Sequence, residues 1–229
     1  MKVTFLYHSS YFVEMDTCCL LFDYYQGDIP QVDKPLYVFA SHSHGDHFSP
    51  VIFHLAQGGK EVHYLLSDDI SPLQVPKELK SQVTFLAPYA FCQVGAVQVA
   101  TLRSTDMGVA FLIQCEGKRL YHAGDLNCWV WDGAPVSERP DAGPLPPGAA
   151  ASFRRQEDRR GLCAPGPPAG GGLRPGDEVL LRGRRRPARV PHAHVGDYSV
   201  VPLFKSTPTY REYAKHVMDV SQPGQSFEV

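Results

Sequence analysis

Three imidazoles and a carboxylate crowd six consecutive residues, His42, Ser43, His44, Gly45, Asp46 and His47. Packing is a poor explanation for H-x-H-x-D-H, whereas imidazole with carboxylate is the donor set of divalent-metal sites. The spacing has a geometric meaning. Residues two apart on extended backbone point the same way, so His42 and His44 can share one ion. Gly45 then permits a tight turn that swings Asp46 and His47 toward a second ion. Two divalent cations are therefore expected, with zinc the first choice and manganese or iron compatible with the same ligands. Such a pair lowers the pKa of a shared water, and Asp46 is the candidate catalytic residue, binding metal and orienting that nucleophile.

A bridge between two ions needs one more carboxylate. The run Tyr121-His122-Ala123-Gly124-Asp125 closes a predicted strand, and Asp125 is the candidate bridging ligand. A strand-end Asp is otherwise a turn or capping residue; the upstream histidines give it the metal reading.

The elements that must position these groups are short strands. Val3, Phe5 and Tyr7 alternate, Tyr11 to Glu14 follows a Ser-Ser turn, and Cys19 to Phe22 is a buried-type run ending at Asp23. Leu36 to Ala40 delivers the chain directly into Ser41-His42, so the chemistry sits at a strand's carboxyl end. Ser49-Pro50 opens a predicted short helix through Leu55, with Ser as N-cap and Pro in the first turn. Further strands are expected at Val62 to Leu66, Val83 to Leu86, Val97 to Leu102, Val109 to Cys115 and Arg119 to His122, the last two joined by a hairpin at Glu116-Gly117.

Together, His42 to His47 and His122-Ala-Gly-Asp125 resemble the metallo-β-lactamase-fold hydrolases, and within them the branch similar to sugar-phosphate lactonases. The resemblance covers residues 1 to about 131 and resumes at Gly196-Asp197-Tyr198-Ser199. It implies an α/β fold, a four-layer αβ/βα sandwich with a dinuclear site at the sheet edges. It also implies a late-loop histidine on the second metal; His192 and His194 lie in the right region, and His194 is the candidate ligand. The family's third histidine on the first metal has no counterpart, because Ser104-Thr105-Asp106 holds no imidazole. Asp106 can serve instead, contact substrate, or be a turn residue before Gly108. His8 resembles a family position near the site mouth, touching substrate or metal, with a polar turn residue as the alternative. His54, His63 and His216 carry no supporting pattern and are read as structural.

The chain is read as one domain over residues 1–229, with an aberrant stretch inside it. Residues 133–195 hold 11 of the 20 prolines, 10 of the 20 glycines and 11 of the 14 arginines but none of the eight lysines. They lack Ile, Met, Asn, Thr, Tyr and Trp as well. A disordered linker is the ordinary reading. Codon chemistry gives a second one, since the residues present are those of GC-rich codons, as expected of a GC-rich gene translated out of frame. Shifted one base forward, Pro140 to Ala151 becomes an amphipathic helix and Gln156 to Pro165 a buried strand running into a loop. We read 139–195 as a compensated frameshift, in the gene or its sequencing. The arginine run from Arg182 to Arg189 falls inside it and is therefore not taken as a nucleic-acid patch.

With 229 residues and a net charge of -2, the chain has the size for one sizeable core and no overall basic field for nucleic acid or an anionic membrane. None of the six cysteines forms a C-x-x-C pair, so reduced thiols and a cytoplasmic location are expected. The expected partner is a small-molecule substrate, with neither nucleic acid nor membrane involved. The reading is a metal-dependent hydrolase whose metal-bound hydroxide cleaves an ester, lactone or phosphoester. An iron-dependent oxidoreductase on the same ligands and an inactive frameshifted product are the alternatives.

Overall fold

The computed structural model describes residues 1–104, 106–126 and 218–229, together with the backbone of strands at 178–182 and 187–191. Two sheets are formed. In chain order the strands are β1 (Lys2–Tyr7), β2 (Ser10–Glu14), β3 (Cys19–Phe22), β4 (Leu36–Ala40), β5 (Val62–Ser67), β6 (Val83–Leu86) and β7 (Phe91–Val94). They continue with β8 (Val97–Arg103), β9 (Val109–Cys115), β10 (Lys118–His122), β11 (Glu178–Arg182), β12 (Pro187–Pro191) and β13 (Ser226–Glu228).

The first sheet has the order β13-β1-β2-β3-β4-β5-β6, and the second β12-β11-β10-β9-β8-β7. The second sheet is antiparallel throughout. In the first, β3, β4, β5 and β6 run parallel. Their carboxyl ends therefore lie on one edge, where Asp23 follows β3, Ser41 follows β4 and Asp68-Asp69 follow β5.

Period-two alternation explains how the sheets pack. Val3, Phe5, Leu20, Phe22, Tyr37, Phe39 and Leu65 face Val97, Val99, Val109, Phe111, Ile113 and Leu120 of the second sheet in one continuous core. Alternate residues such as Leu21, Val38, Tyr64 and Leu66 cover the other face of the first sheet, packed beneath Phe48, Ile52 and Phe53. Burial on both faces is the ordinary condition of parallel strands, and it accounts for the unbroken apolar runs of β3 and β4.

The expected helix after Ser49 forms as a 3₁₀ segment, Pro50–Gly59, whose Ser49 hydroxyl accepts from the Val51 amide. Among the described residues every helical segment is of this 3₁₀ kind. The Glu116-Gly117 hairpin is present with both central residues at positive φ, 49° and 70°, the conformation that matches strand twist. Glu116 also accepts from the Thr17 amide and hydroxyl and from the Asp16 amide, clipping the second sheet to the β2–β3 turn.

Strands β7 and β13 have no counterpart in the sequence reading: β7 alternates exposed and half-buried residues, and β13 is three residues long. Strands β11 and β12 fall inside the stretch expected to be a linker or frameshifted, and pair in register with β10 and with each other. The rest of 139–195 lies outside the described residues.

At the shared edge the sheets close on Ser41. Gly108 has φ +69°, and a Cβ there would stand 2.1 Å from the Ser41 carbonyl and 2.7 Å from His42 Cβ. Gly124, at φ +53°, would bring a Cβ within 2.6 Å of Ser41 Cβ. Both glycines are dictated by conformation and by space together. Substituting Gly108 by Ala should destabilise the protein by about 2–5 kcal/mol, the sum of left-handed strain and overpacking. A urea midpoint unchanged in Gly108→Ala would show that the loop does not sit against Ser41.

Candidate metal centre

Every group at this edge is delivered by a strand end or a turn between strands. His8 occupies the β1–β2 turn at φ +52°, a backbone conformation uncommon for a side chain other than glycine. His42 to His47 follow β4, Asp106 belongs to the β8–β9 loop, and Asp125 follows β10. Within the histidine loop the turn is closed by the His44 carbonyl, which accepts from the amides of His47 at 3.0 Å and Phe48 at 2.8 Å. Gly45 is not in the left-handed region and has open space around it, so the turn does not depend on glycine as expected.

The organising group is one the sequence reading passed over as a strand terminus. Asp23 is fully buried, and its carboxylate accepts four hydrogen bonds. The Ser41 amide donates to Oδ1 at 2.7 Å and the Ser41 hydroxyl to Oδ2 at 2.7 Å. His47 Nδ1 donates to Oδ2 at 2.8 Å and His122 Nε2 at 2.7 Å. An unpaired carboxylate could not be held at such depth. Burial alone would raise its pKa, but the charge and hydrogen bonds of His122 and His47 outweigh that and hold it well below the usual carboxylate value.

Asp23 also sets which imidazole nitrogens face the other donor groups. Because the Ser41 hydroxyl donates to Asp23, it accepts from His42 Nδ1 at 3.0 Å, leaving the Nε2 lone pair of His42 directed outward. Burial, reinforced by His47 nearby, pushes His42 below its ordinary pKa and keeps it neutral, the form able to bind a cation. His47 is turned the same way, Nδ1 to Asp23 and Nε2 toward Asp125 Oδ1 at 3.2 Å. For His47, burial opposes protonation, but the Asp23 hydrogen bond and surrounding carboxylates raise its pKa to about 9.

Two donor groups result. His42, His44, Asp106 and Asp125 each place a ligand atom within 4.8 Å of the others, and His8, Asp46 and His47 do the same. In the first, His42 Nε2 lies 3.1 Å from His44 Nδ1 and 3.7 Å from Asp125 Oδ2, while His44 Nδ1 lies 3.7 Å from Asp106 Oδ2. In the second, His8 Nε2 lies 3.7 Å from Asp46 Oδ2. With metal–nitrogen bonds of about 2.0–2.1 Å, a tetrahedral edge is roughly 3.3 Å, so these separations suit donors around a cation.

The structure thus brings His42, His44, Asp46, His47 and Asp125 to one edge, together with His8 and Asp106, for which the sequence left both a site role and a turn role open. His194 lies outside the described residues. His63, read as structural, stacks on Tyr37 and pairs with Glu61 away from the edge. A third group, Cys18, Cys115 and Glu116, sits far along the strands at the opposite end of the core, with the two thiols 3.6 Å apart.

Two packed sheets whose joint edge carries an H-x-H-x-D-H loop facing a strand-end Asp constitute the metallo-β-lactamase fold. The chain belongs to the β-lactamase superfamily domain family, whose sequence model matches residues 2–134. It is similar to a UPF0173 metal-dependent hydrolase of Alkaliphilus metalliredigens (strain QYMF), 26% identical over 147 residues, or 56% of this chain and 64% of the relative. The chain therefore spans just under two thirds of that relative's length. Among solved structures it is similar to Igni18, a metallo hydrolase from Ignicoccus hospitalis KIN4/I, at 20% identity and a TM-score of 0.42 over 56% of this chain and 62% of the other. It is also similar to CmlA, a diiron β-hydroxylase from Streptomyces venezuelae, at 12% identity and a TM-score of 0.41 over 56% and 30%.

Replacing Asp23 by Ala would strand two imidazoles and a serine in the core and should destabilise the protein by about 3–5 kcal/mol. The pH dependence has a definite sign. A pKa of about 9 for folded His47, against its lower unfolded value, gives stability fully present below about pH 6.5 and lost as pH rises through about 9. Urea midpoints of chelator-treated protein should fall over that window. Asp23→Asn should flatten the alkaline limb; an identical limb in that variant would remove Asp23 as its cause.

Proposed function

We propose that this protein is a metal-dependent hydrolase with two divalent cations at the sheet edge. His42, His44 and Asp125 would hold the first, and Asp46, His47 and Asp125 the second, with His194 as the late-loop ligand that the family pattern implies. One observation carries the reading: the two oxygens of Asp125 face different imidazoles, Oδ1 toward His47 at 3.2 Å and Oδ2 toward His42 at 3.7 Å. A carboxylate presented in this way is suited to span two cations.

When bound, such cations would supply Lewis acidity and lower the pKa of water at the site. The chain's own residues do the rest. His42 and His47 are held by Asp23 and Ser41 before any ligand arrives, so their rings need little reorientation, and His47 would release its Nε2 proton on binding a cation. Asp46 is nearly half exposed at the mouth, where its carboxylate can orient an attacking water and take its proton. His8, close to Asp46, and Tyr25, edge-on to His8, form a flank against which a substrate can lie.

The substrate class we assign is a small molecule with an ester, lactone or phosphoester bond, and zinc is the reference metal. We further assign the chain a complete four-layer αβ/βα sandwich and a cytoplasmic setting without nucleic-acid or membrane partners. No helix among the described residues is long and apolar enough to cross a membrane.

Full-length protein stripped with a chelator and dialysed against Zn²⁺ should regain about two equivalents, and hydrolysis of a lactone, thioester and phosphodiester panel should depend on them. Asp46→Ala should lower kcat/KM by about 100-fold or more while leaving the thermal transition in place. Full turnover in that variant, or in the chelated protein, would overturn the assignment.

A further inference from the structure

We infer that Asp106 is a ligand of the first cation site, standing where no imidazole is available. The consequence is a site of two imidazoles and two carboxylates that favours Mn²⁺ or Fe²⁺, relative to Zn²⁺, more than a site with a third histidine would. This rests on the dinuclear reading above and adds a residue and a metal preference to it.

Three observations support it independently of the sequence motif. Asp106 Oδ2 lies 3.7 Å from His44 Nδ1, within the same 4.8 Å group as His42 and Asp125. The loop carrying it is fixed in place, with the Val109 amide donating to the Ser41 carbonyl at 2.9 Å, the Ser104 amide to the Gly108 carbonyl at 3.2 Å, and Gly108 too close to Ser41 for a side chain. In that loop the turn-closing acceptor is Ser104, whose hydroxyl accepts from the Asp106 amide at 3.2 Å. The carboxylate of Asp106 is thus spared the local role of a turn aspartate and faces His44.

The four donors divide by depth. His42 and Asp125 are buried, whereas His44 and Asp106 keep 47% and 41% side-chain exposure. Two rigid donors behind and two at the solvent edge leave the cation reachable for exchange, so donor type can govern which metal stays. Exchanging a neutral imidazole for an anionic oxygen makes the set harder and adds a negative charge, both favouring oxygen-loving Mn²⁺ and Fe²⁺ over the more nitrogen- and sulfur-tolerant Zn²⁺.

The test uses full-length protein, its near-isosteric variant Asp106→Asn and the imidazole-restoring variant Asp106→His. Each is titrated with Mn²⁺ alone and Zn²⁺ alone under anaerobic conditions, with bound metal read by elemental analysis and Mn²⁺ by electron paramagnetic resonance. Asp106→Asn should bind one of its two equivalents of Mn²⁺ about tenfold or more less tightly than the wild-type protein does. Asp106→His should shift the Zn²⁺-to-Mn²⁺ affinity ratio toward zinc by a similar factor. Wild-type Mn²⁺ affinity in Asp106→Asn, or an unchanged ratio in Asp106→His, would overturn the inference while leaving the dinuclear reading intact. Wild-type protein that holds neither metal would overturn both, and circular dichroism of the variants separates lost ligands from lost fold.

Discussion

One buried carboxylate decides where everything at the sheet edge points. Asp23 follows β3 of the first sheet, yet it receives hydrogen bonds from the residue after β4, from the histidine loop and from β10 of the second sheet. A fully desolvated anion is tolerable only if all of these partners are in place at once, so a single ionised group imposes a joint geometry on four separate segments. The sheets supply position; Asp23 supplies orientation. Without its demand for donors, neither His42 nor His47 would have a reason to turn Nδ1 inward and Nε2 toward Asp125.

Hydrophobic packing reinforces this constraint from behind. Phe22, the residue before Asp23, stacks on Phe39 at 4.9 Å and also packs on the His122 ring at 4.9 Å, while Phe39 meets Phe111 edge-on at 5.3 Å. The aromatic layer between the sheets therefore ends against the imidazole that donates to Asp23. The core and the polar network are one body, and displacing either moves the other. The close approach of Gly108 and Gly124 to Ser41 completes it from the front.

Much of this was legible in the sequence, for identifiable reasons. Apolar runs without alternation, as in Cys19–Phe22 and Leu36–Ala40, announce strands buried on both faces, and these position the site. H-x-H-x-D-H announces its own chemistry because three imidazoles in six residues have few structural uses. Asp23 was invisible because a lone Asp after a strand has the same local signature whether it ends in water or in the core; only the partners, 18 to 99 residues away, distinguish the cases. Gly45 was overvalued for a related reason, since the turn it occupies is closed by the His44 carbonyl at ordinary φ. Strand β13 was missed because its three residues join the sheet only through pairing with the start of the chain.

The same contrast explains why the two donor groups carry different kinds of information. His42, His47 and Asp125 are buried, and hydrogen bonds to Ser41 and Asp23 fix the two imidazoles. His44, Asp46 and Asp106 stand at the solvent edge, where water can satisfy them. The buried groups can therefore be inferred from the fold's own stability, whereas the exposed ones are placed by backbone turn closures, at the His44 carbonyl and between Ser104 and Gly108. The convergence of two imidazoles and two carboxylates at His42 and Asp125, part buried and part open, is an arrangement in which a cation, if bound, would add stability by mass action on a core whose packing lies elsewhere.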